Sequence, residues 1–379
     1  MTFNHRTSFA AAAVLALAAC GGNSTVPPPA GVAAPATEPG MQRLDNTSIL
    51  KKLTKDVVIG STVDPTNGDQ GPHSISLVQN NYVLKKGQLV VCNFADKTGT
   101  AGQGSTIEVL DPKPGSSPVT FARYKAITGC AGAATTDAND VHGAGLTSGL
   151  DVAFSAAGKL SKRYGTPIKA PFSNADVRCT TAISRCLYAA EYIFVSDAGT
   201  GSLVSFSINN IGHPNELAVV GGFAVNGQQG WSALGPSGLS YYYPADTIYV
   251  ADGVDNAIVG ITHTSNLLVK DEVVVQPGGT TFKCKYHGSG DPCGVLVKAG
   301  SPLNAPVAMT VLPNGNLVAA NTQGPEMLVE LTPTGTVLAT KTLGKTPHIF
   351  GLASRGTNDN NTVLFYTDNK HNTVHELEQ

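Results

Sequence analysis

The fold is decided by residues 235–261, which read GPSGLSYYYPADTIYVADGVDNAIVGI. A Gly-Pro opener precedes a short apolar run, a turn leads into a β-branched run that ends at Asp252, and a third apolar run follows. Val, Ile, Tyr and Thr favour extended backbone, whereas Gly, Pro, Asn and Asp favour turns. The stretch therefore predicts three short antiparallel strands joined by tight turns.

The same pattern recurs along the chain. Copies occupy residues 305–331 and 346–377, and an earlier copy begins at Gly71-Pro72-His73. The strands that end in Asp or Asn finish at Asn93, Asp197, Asp252, Asn321 and Asp368. Their spacing is about 50–70 residues, except for one interval of about 100 that leaves room for a weaker copy, as expected of a repeat architecture. We place that copy near residues 146–150, because LTSGL resembles GPSGL.

Six such units predict an all-β, six-bladed β-propeller. The last copy stops at Gln379 after its third strand. We expect residues 56–60 (DVVIG) to supply the missing outer strand, which would close the ring and remove an exposed sheet edge. The short polar residue that ends each second strand is predicted to accept hydrogen bonds from turn N–H groups.

The composition agrees with this fold and excludes one class of function. The chain has 379 residues, 42 Gly and 23 Pro, and charged residues make up only 14%. Lys and Arg number 25 against 27 Asp and Glu, for a net charge of −2. There is no basic excess to neutralise phosphates, so we expect no nucleic-acid partner.

The Gly-Pro openers and strands such as TIYVAD (247–252) resemble those of exported bacterial NHL-type six-bladed β-propellers. The resemblance covers residues 56–379 and implies the fold, but no single activity, because this fold serves binding modules, lactonases, lyases and scaffolds. The regucalcin and gluconolactonase family opens its first blade with Glu-Gly-Pro, whose Glu binds metal; here the segment is Gln70-Gly71-Pro72. The propeller lyases of peptide amidation use three zinc-binding His, of which two positions find a match in this chain.

The N-terminal sequence predicts that the protein is located at the cell envelope. A basic residue at Arg6 precedes an apolar stretch over residues 9–19, too short to span a bilayer. The following LAACG (17–21) resembles the lipobox of bacterial lipoproteins, which implies lipidation of Cys20 and, because Gly21 is not Asp, the bacterial outer membrane. We therefore divide the chain into a signal peptide (1–19), a lipidated Cys with a disordered Gly/Pro/Ser-rich tether (20–47) and the propeller (48–379).

Seven cysteines fit an exported protein. Cys20 is assigned to the lipid, and six remain that can pair in an oxidising compartment. The short spacings favour two disulfides, Cys179–Cys186 and Cys284–Cys293, which leaves Cys92 and Cys130 for a third. A metal site is the alternative, but no Cys-x-x-Cys spacing occurs.

The residue after each opening Pro is predicted to lie near the mouth of the central channel. Around the ring these candidates are His73, Ser148, Ser237, Val307 and His348. His73 and His348 belong to neighbouring blades and could hold a divalent metal. A third ligand is not identified, although His142 and Asp151 lie near the second opener. The alternative is a polar pair without metal, and no cofactor is then expected.

Aromatic residues supply a second set of candidates. Tyr241-Tyr242-Tyr243 is a conspicuous run, and Trp231 is the only Trp. Alternation places Tyr241 and Tyr243 on one face, either packed between blades or forming a stacking platform for a sugar or another flat ligand. The preferred function is binding of a small molecule, a glycan or an envelope protein through the channel mouth or loop rim. The alternative is a metal-dependent hydrolase or lyase at His73 and His348.

Overall fold

β-Branched and aromatic residues dominate the strands, and turns rich in Gly, Asn and Asp separate them. The computed structural model describes residues 46–178, 191–208, 216–226, 235–325, 327–344 and 348–379. Within these ranges the strands form six successive sheets, and in each sheet the first strand of the repeat lies at one edge. The prediction of an all-β, six-bladed β-propeller is confirmed.

Each blade contains a unit of four antiparallel strands, to which two further strands are added in blade 3. Blade 1 comprises β2 (Gln70–Leu77), β3 (Leu89–Ala95), β4 (Ala101–Leu110) and β5 (Val119–Arg123). Blade 2 comprises β6 (Cys130–Thr135), β7 (Val141–Gly145), β8 (Leu150–Phe154) and β9 (Leu160–Tyr164). Blade 3 begins with β10 (Pro171–Arg178), β11 (Glu191–Asp197), β12 (Ser202–Ser207) and β13 (Leu217–Gly221).

Blade 4 comprises β14 (Leu239–Tyr242), β15 (Thr247–Asp252), β16 (Ala257–Thr262) and β19 (Cys293–Ala299). Blade 5 comprises β20 (Pro306–Val311), β21 (Leu317–Asn321), β22 (Met327–Leu331) and β23 (Val337–Thr342). Blade 6 comprises β24 (Leu352–Arg355), β25 (Val363–Asp368), β26 (Thr373–Glu378) and β1 (Lys55–Ser61). The first strands β2, β6, β10, β14, β20 and β24 contact one another in order and close a ring around the central axis.

The ring closes as the sequence predicts. Strand β1 pairs antiparallel with β26, from Lys55 opposite Glu378 to Ser61 opposite Thr373. The Asp56 carboxylate at this seam accepts a hydrogen bond from the Tyr366 hydroxyl at 2.8 Å. The final sheet therefore combines strands from both ends of the described chain and leaves no unpaired edge between them.

The polar residues that end the second strands organise turns. The Asp197 carboxylate accepts hydrogen bonds from the N–H groups of Lys169 (2.9 Å) and Ala170 (2.7 Å). Asp252 Oδ1 likewise accepts the N–H groups of Val254 and Asp255, both at 3.1 Å. Asn321 and Asp368 accept backbone N–H groups in the same way. Asn93 is the exception, because its amide donates to the Thr62 carbonyl at 2.7 Å and its Oδ1 has no hydrogen-bond partner among the described residues. The turn-forming role that the sequence predicts is therefore confirmed in four of the five strands.

Blade 2 begins earlier than the sequence analysis places it. Its inner strand is β6, whereas residues 146–149 form the turn between β7 and β8, and Leu150 already begins β8. The sequence does not indicate this inner strand, because CAGAAT (130–135) lacks β-branched residues apart from its last. Its small residues have a steric reason: a Cβ at Gly132 would lie 2.7 Å from the Phe172 carbonyl oxygen of the next blade.

An insertion in blade 4 enlarges blade 3. Between β16 and β19 the chain forms the hairpin of β17 (Val273–Val275) and β18 (Phe282–Cys284). Strand β17 pairs parallel with β13, Val220 opposite Val273, so the sheet of blade 3 has six strands. The insertion therefore joins the outer parts of two blades.

Two of the expected disulfides are present. Cys92 on β3 is bonded to Cys130 on β6, which joins blades 1 and 2, with Cα atoms 5.2 Å apart. Cys284 on β18 is bonded to Cys293 on β19, which fastens the insertion hairpin to blade 4. The third expected pair, Cys179–Cys186, lies outside the described residues.

The segment before β1 packs against blade 5. The side chains of Ile49, Leu50 and Leu53 are buried in the core. The buried Glu330 carboxylate accepts hydrogen bonds from the N–H groups of Ile49 (3.0 Å) and Leu50 (2.8 Å) and from the Ser48 hydroxyl. This contact fixes the start of the described chain at the end of the propeller where the inner strands finish.

In the part of the chain that the structure describes, no helix has the length and hydropathy needed to cross a bilayer. The proposed signal, Cys20 and most of the tether fall in residues 1–45, outside the described ranges.

Candidate functional site: the central cavity

A bulge near the start of the inner strands defines which residues are equivalent. Pro72 pairs with Asn93 and Ser74 with Cys92, so His73 is the extra residue on β2. In blades 2 to 5 the same shift in pairing leaves one extra residue on the inner strand. These extra residues are Ala131, Phe172, Ser237 and Val307. The post-proline position is thus a true structural repeat in blades 1, 3, 4 and 5.

Blade 6 follows a different register from the one predicted. The Asn369 N–H donates to the His348 carbonyl, as the N–H of Ala198 donates to Ala170 and that of Thr322 to Ala305. His348 therefore corresponds to Ala170 and Ala305, each of which lies two residues before the extra residue of its inner strand. By the same count, Phe350 corresponds to His73. The expectation that His73 and His348 share one repeat position is wrong, because blade 6 places the bulge two residues later.

His73 is enclosed by aromatic rings. Its imidazole stacks on Phe94, with ring centroids 3.9 Å apart, and on Phe350, with centroids 4.1 Å apart. Phe172 from blade 3 lies 6.1 Å away in a tilted arrangement. Only 2% of the His73 surface is exposed, and burial lowers the pKa of its imidazole to about 3. The side chain is therefore neutral, and this end of the central axis is filled by an aromatic stack.

The other candidates of the channel-mouth set do not converge on His73. His348 is exposed. The buried Ser237 hydroxyl donates to the Ala251 carbonyl at 3.0 Å, and the half-buried Ser148 hydroxyl donates to the Ala126 carbonyl at 2.7 Å in the β7–β8 turn. Ser148 is therefore not an inner-strand residue, and both hydroxyls serve the backbone.

His142 and Asp151 lie elsewhere, between blades 2 and 3. His142 Nδ1 is 3.0 Å from Asp151 Oδ1, and Asn174 on β10 donates to the other oxygen of Asp151. Both side chains are buried. Over the described ranges, no three His, Cys, Asp or Glu side chains come together in a group that could hold a metal ion. The residues proposed from the sequence therefore do not fit a metal centre.

The opposite end of the axis holds a cavity of about 820 Å³. Every inner strand contributes its later residues to the wall, beginning with Ile75, Ser76 and Leu77 of β2. The other contributions come from Ala133–Thr135, Asn174–Asp176, Arg178, Leu239–Tyr242, Met309–Val311 and Leu352–Ser354. The site thus lies at the end opposite to the one that the sequence analysis favours.

One side of the cavity carries a cluster of charges, which we call the acidic wall: Asp137, Asp176, Arg178 and Glu191. Arg178 Nε donates to Asp176 Oδ2 at 2.9 Å, and its Nη1 donates to Asp137 Oδ1 at 2.8 Å. Glu191 lies opposite Arg178 in the β10–β11 pairing. Burial, followed by the negative charge of Glu191, raises the pKa of Asp176 to about 8.

Little in the sequence predicts this acidic wall. Its one signal is the alternation Asp176-Val177-Arg178, which puts two opposite charges on the same face of an inner strand. Charged residues seldom line the buried strand of a blade unless they are paired. Glu191 is separated from them by residues 179–190, so nothing local in the sequence predicts that it joins them.

Three tyrosines lie beside the acidic wall. Tyr241, Tyr242 and Tyr243 all line the cavity, and Tyr243 is 53% exposed. The Tyr241 hydroxyl donates to Asp246 at 2.9 Å, and burial together with the Asp246 charge raises the pKa of Tyr241. Tyr241 and Tyr242 pack on different core clusters, as strand alternation requires. Trp231 lies outside the described residues.

These features define a six-bladed β-propeller with one end of its axis filled and a polar, tyrosine-lined cavity at the other. Solved structures with this fold include a protein assigned as a gluconolactonase, with 11% identity, a TM-score of 0.52, and coverage of 86% of this chain and 91% of that one. The PQQ-bound aldose sugar dehydrogenase of Streptomyces coelicolor gives 13% identity, a TM-score of 0.50, and coverage of 86% and 98%.

Virginiamycin B lyase from Staphylococcus aureus gives 13% identity and a TM-score of 0.48, with coverage of 86% of this chain and 88% of that one. No protein-family model matches the chain, and no curated protein sequence matches it. The likeness to the gluconolactonase and the sugar dehydrogenase, at 11% and 13% identity, establishes the fold alone.

Proposed function

We propose that this protein is a lipid-anchored envelope protein whose propeller binds a small ligand, or a side chain of a partner protein, in the central cavity. The observation that carries the proposal is the cavity of about 820 Å³, built from all six inner strands and bearing the acidic wall and three tyrosines. Its volume falls within the range of roughly 300–1,000 Å³ that ligand pockets occupy. Converging polar groups of this kind fix the orientation of a ligand in such a site.

The envelope location rests on the sequence alone. LAACG (17–21) supports lipidation at Cys20, and lipidation would hold the protein on the outer membrane. The described chain begins beside Glu330, at the same end of the propeller as the cavity. In this proposal the tether therefore attaches at the ligand-binding end.

The proposed anchor is tested by Cys20→Ser. We expect the variant to leave the membrane fraction, because the lipid is the anchor that the sequence offers. Ser24→Ala, four residues away and outside the lipobox, is the matched control and should remain with the membranes. A Cys20→Ser protein that still sediments with membranes would refute lipid anchoring while leaving the cavity proposal intact.

The cavity is tested by narrowing it. Ser76 lies on the cavity wall, and we expect Ser76→Trp to abolish the binding of small molecules and glycans that the wild-type protein binds in ligand-observed NMR. Thr336→Trp adds the same ring to an exposed turn of blade 5 and should leave binding unchanged. Equal melting temperatures would show that both variants fold. Ligands that bind the wild type and Ser76→Trp equally well would reject the central cavity as the site.

The alternative function, a metal-dependent hydrolase or lyase at His73 and His348, has no supporting observation of this kind. The two residues occupy different repeat positions, and His73 is stacked between two phenyl rings. Metal analysis of the purified protein tests it directly. A stoichiometric metal that is lost in both His73→Ala and His348→Ala would restore this alternative.

A further inference from the structure

We propose that the ligand of the central cavity carries a cationic group, an ammonium or a guanidinium, which binds at the carboxylates of Asp176 and Glu191. This inference rests on the proposed function, since it names the ligand class of the same cavity.

The charge balance of the wall supports a cationic ligand. Among the described residues that line the cavity, three are acidic (Asp137, Asp176 and Glu191) and Arg178 alone is basic. The Arg178 guanidinium already contacts two of the carboxylates, Asp176 at 2.9 Å and Asp137 at 2.8 Å. One arginine cannot neutralise three carboxylates, so the wall keeps a negative charge inside a cavity where the charge is only partly screened.

A buried oxygen marks where the cation binds. The Asp176 side chain is only 10% exposed, and its Oδ1 atom has no hydrogen-bond partner among the described residues. The Arg178 contacts both go to the other oxygen, Oδ2. A buried carboxylate oxygen without a donor is costly, so the empty site favours a proton that Asp176 shares with Glu191. A ligand N–H donor placed at Oδ1 would take the place of that proton.

The neighbouring tyrosines suit the same ligand. An aromatic face attracts a cation, most strongly where water is excluded. Tyr241 contacts the main chain of Arg178 through its hydroxyl, at 3.3 Å from the carbonyl oxygen, so the aromatic and acidic parts of the site adjoin. A ligand with a cationic group next to an apolar or aromatic body would therefore use both.

Protonation of the wall predicts how binding depends on pH. The charged and titratable groups that face Asp176 are Arg178 on its own strand, Glu191 on β11, Asp137 after β6 and Tyr241 on β14. Burial and Glu191 raise the pKa of Asp176 to about 8, so near neutral pH the empty site holds a proton that a cation must displace into solvent. Affinity for a permanent cation should thus rise by about ten-fold or more from pH 6 to pH 8, because protons compete less.

Three probes of similar size test the inference in calorimetric titrations of the full propeller: benzyltrimethylammonium, benzyl alcohol and benzenesulfonate. The first has a permanent positive charge, so any pH dependence comes from the protein. We expect the ammonium to bind at least about ten-fold more tightly than the other two. Asp176→Asn and Glu191→Gln should each remove this preference and its pH dependence, because each removes a carboxylate charge without changing the shape of the side chain.

Glu378→Gln is the matched control, since Glu378 pairs with Lys55 at the outer seam and should not affect binding. Equal binding of the neutral or anionic probe, sensitive to Ser76→Trp, would overturn the cationic ligand and keep the cavity function. Failure of the ammonium to bind would also overturn this inference. The proposed binding function of the cavity is tested separately, by whether Ser76→Trp blocks the ligands that the wild-type protein binds in ligand-observed NMR.

Discussion

At the scale of single residues, one histidine shows how burial overrides chemical type. His73 has the residue type and the position of a channel-mouth ligand, but the rings of Phe94 and Phe350 cover both of its faces. An imidazole without water cannot hold a second proton cheaply, which is why its pKa falls to about 3. His73 thus contributes an aromatic ring to the core, whereas the reactive groups lie at the other end of the axis.

His73→Phe should therefore preserve the fold and change its response to acid. Below pH 6.5 the unfolded chain binds a proton that the folded protein excludes down to about pH 3, so stability is complete above pH 6.5 and falls as the pH drops. At pH 5 this costs about 2 kcal/mol, from 1.36 kcal/mol for each pH unit of the gap. Urea unfolding at pH 5 and pH 7.5 measures the difference, which should shrink in His73→Phe. An unchanged acid response would contradict the neutral, buried histidine.

At the scale of elements, the repeat predicts where strands occur better than it predicts which strands pair with each other. The β-branched second strands and their terminal Asp or Asn residues are visible in the sequence because turn and strand propensities alternate there. The inner strand of blade 2 is not visible, since contact with Phe172 of the next blade requires Gly132 and so removes the β-branched signal. The pairing of β17 with β13 depends on residues more than fifty positions apart, and no local pattern encodes it.

Separation along the sequence also explains why the acidic wall cannot be predicted from local patterns. The tyrosine run is contiguous in the sequence and therefore visible there, whereas Asp176 and Glu191 meet only because β10 and β11 pair. In blade 6 the sequence Thr346-Pro347 resembles the opener of the other blades and predicts the bulge at His348. Hydrogen bonding places the bulge two residues later, at Phe350.

The two described disulfides stabilise elements to different extents. In the chain-entropy account, closing 38 residues between Cys92 and Cys130 contributes about 4 kcal/mol, and closing 9 between Cys284 and Cys293 contributes about 3 kcal/mol. We expect the double variant Cys92→Ala/Cys130→Ala to lower the free energy of unfolding more than Cys284→Ala/Cys293→Ala. Chemical denaturation of both variants measures the order. The reverse order would mean that the insertion hairpin matters more to the fold than the junction of blades 1 and 2.

At the scale of the whole molecule, the N-terminal part of the propeller stabilises the ring in two separable steps. Residues 48–53 bury three apolar side chains and fill the acceptors of Glu330, and β1 then completes blade 6. Burial of an aliphatic side chain contributes about 1.5–3 kcal/mol, so the first step alone is a large fraction of a typical folding free energy.

A series of N-terminal deletions should therefore show graded losses. Removal of residues 1–46 should leave the melting temperature unchanged, removal of 1–54 should lower it, and removal of 1–62 should lower it further, because β26 then becomes an open edge. Deletion of 1–54 also removes the Ser48, Ile49 and Leu50 donors and leaves the Glu330 carboxylate only the long contact from Asn316 Nδ2 at 3.4 Å. Glu330→Gln should then restore part of the loss in that background, since a neutral amide costs less to bury than a poorly paired charge. In the full-length chain the same substitution should instead destabilise, since the amide accepts the Ile49 and Leu50 N–H groups less strongly than a carboxylate does. Equal melting temperatures for the 1–46 and 1–62 deletions would contradict closure of the ring by β1. An identical effect of Glu330→Gln in the full-length chain and in the 1–54 deletion would contradict the role of Glu330 as the acceptor for residues 48–50.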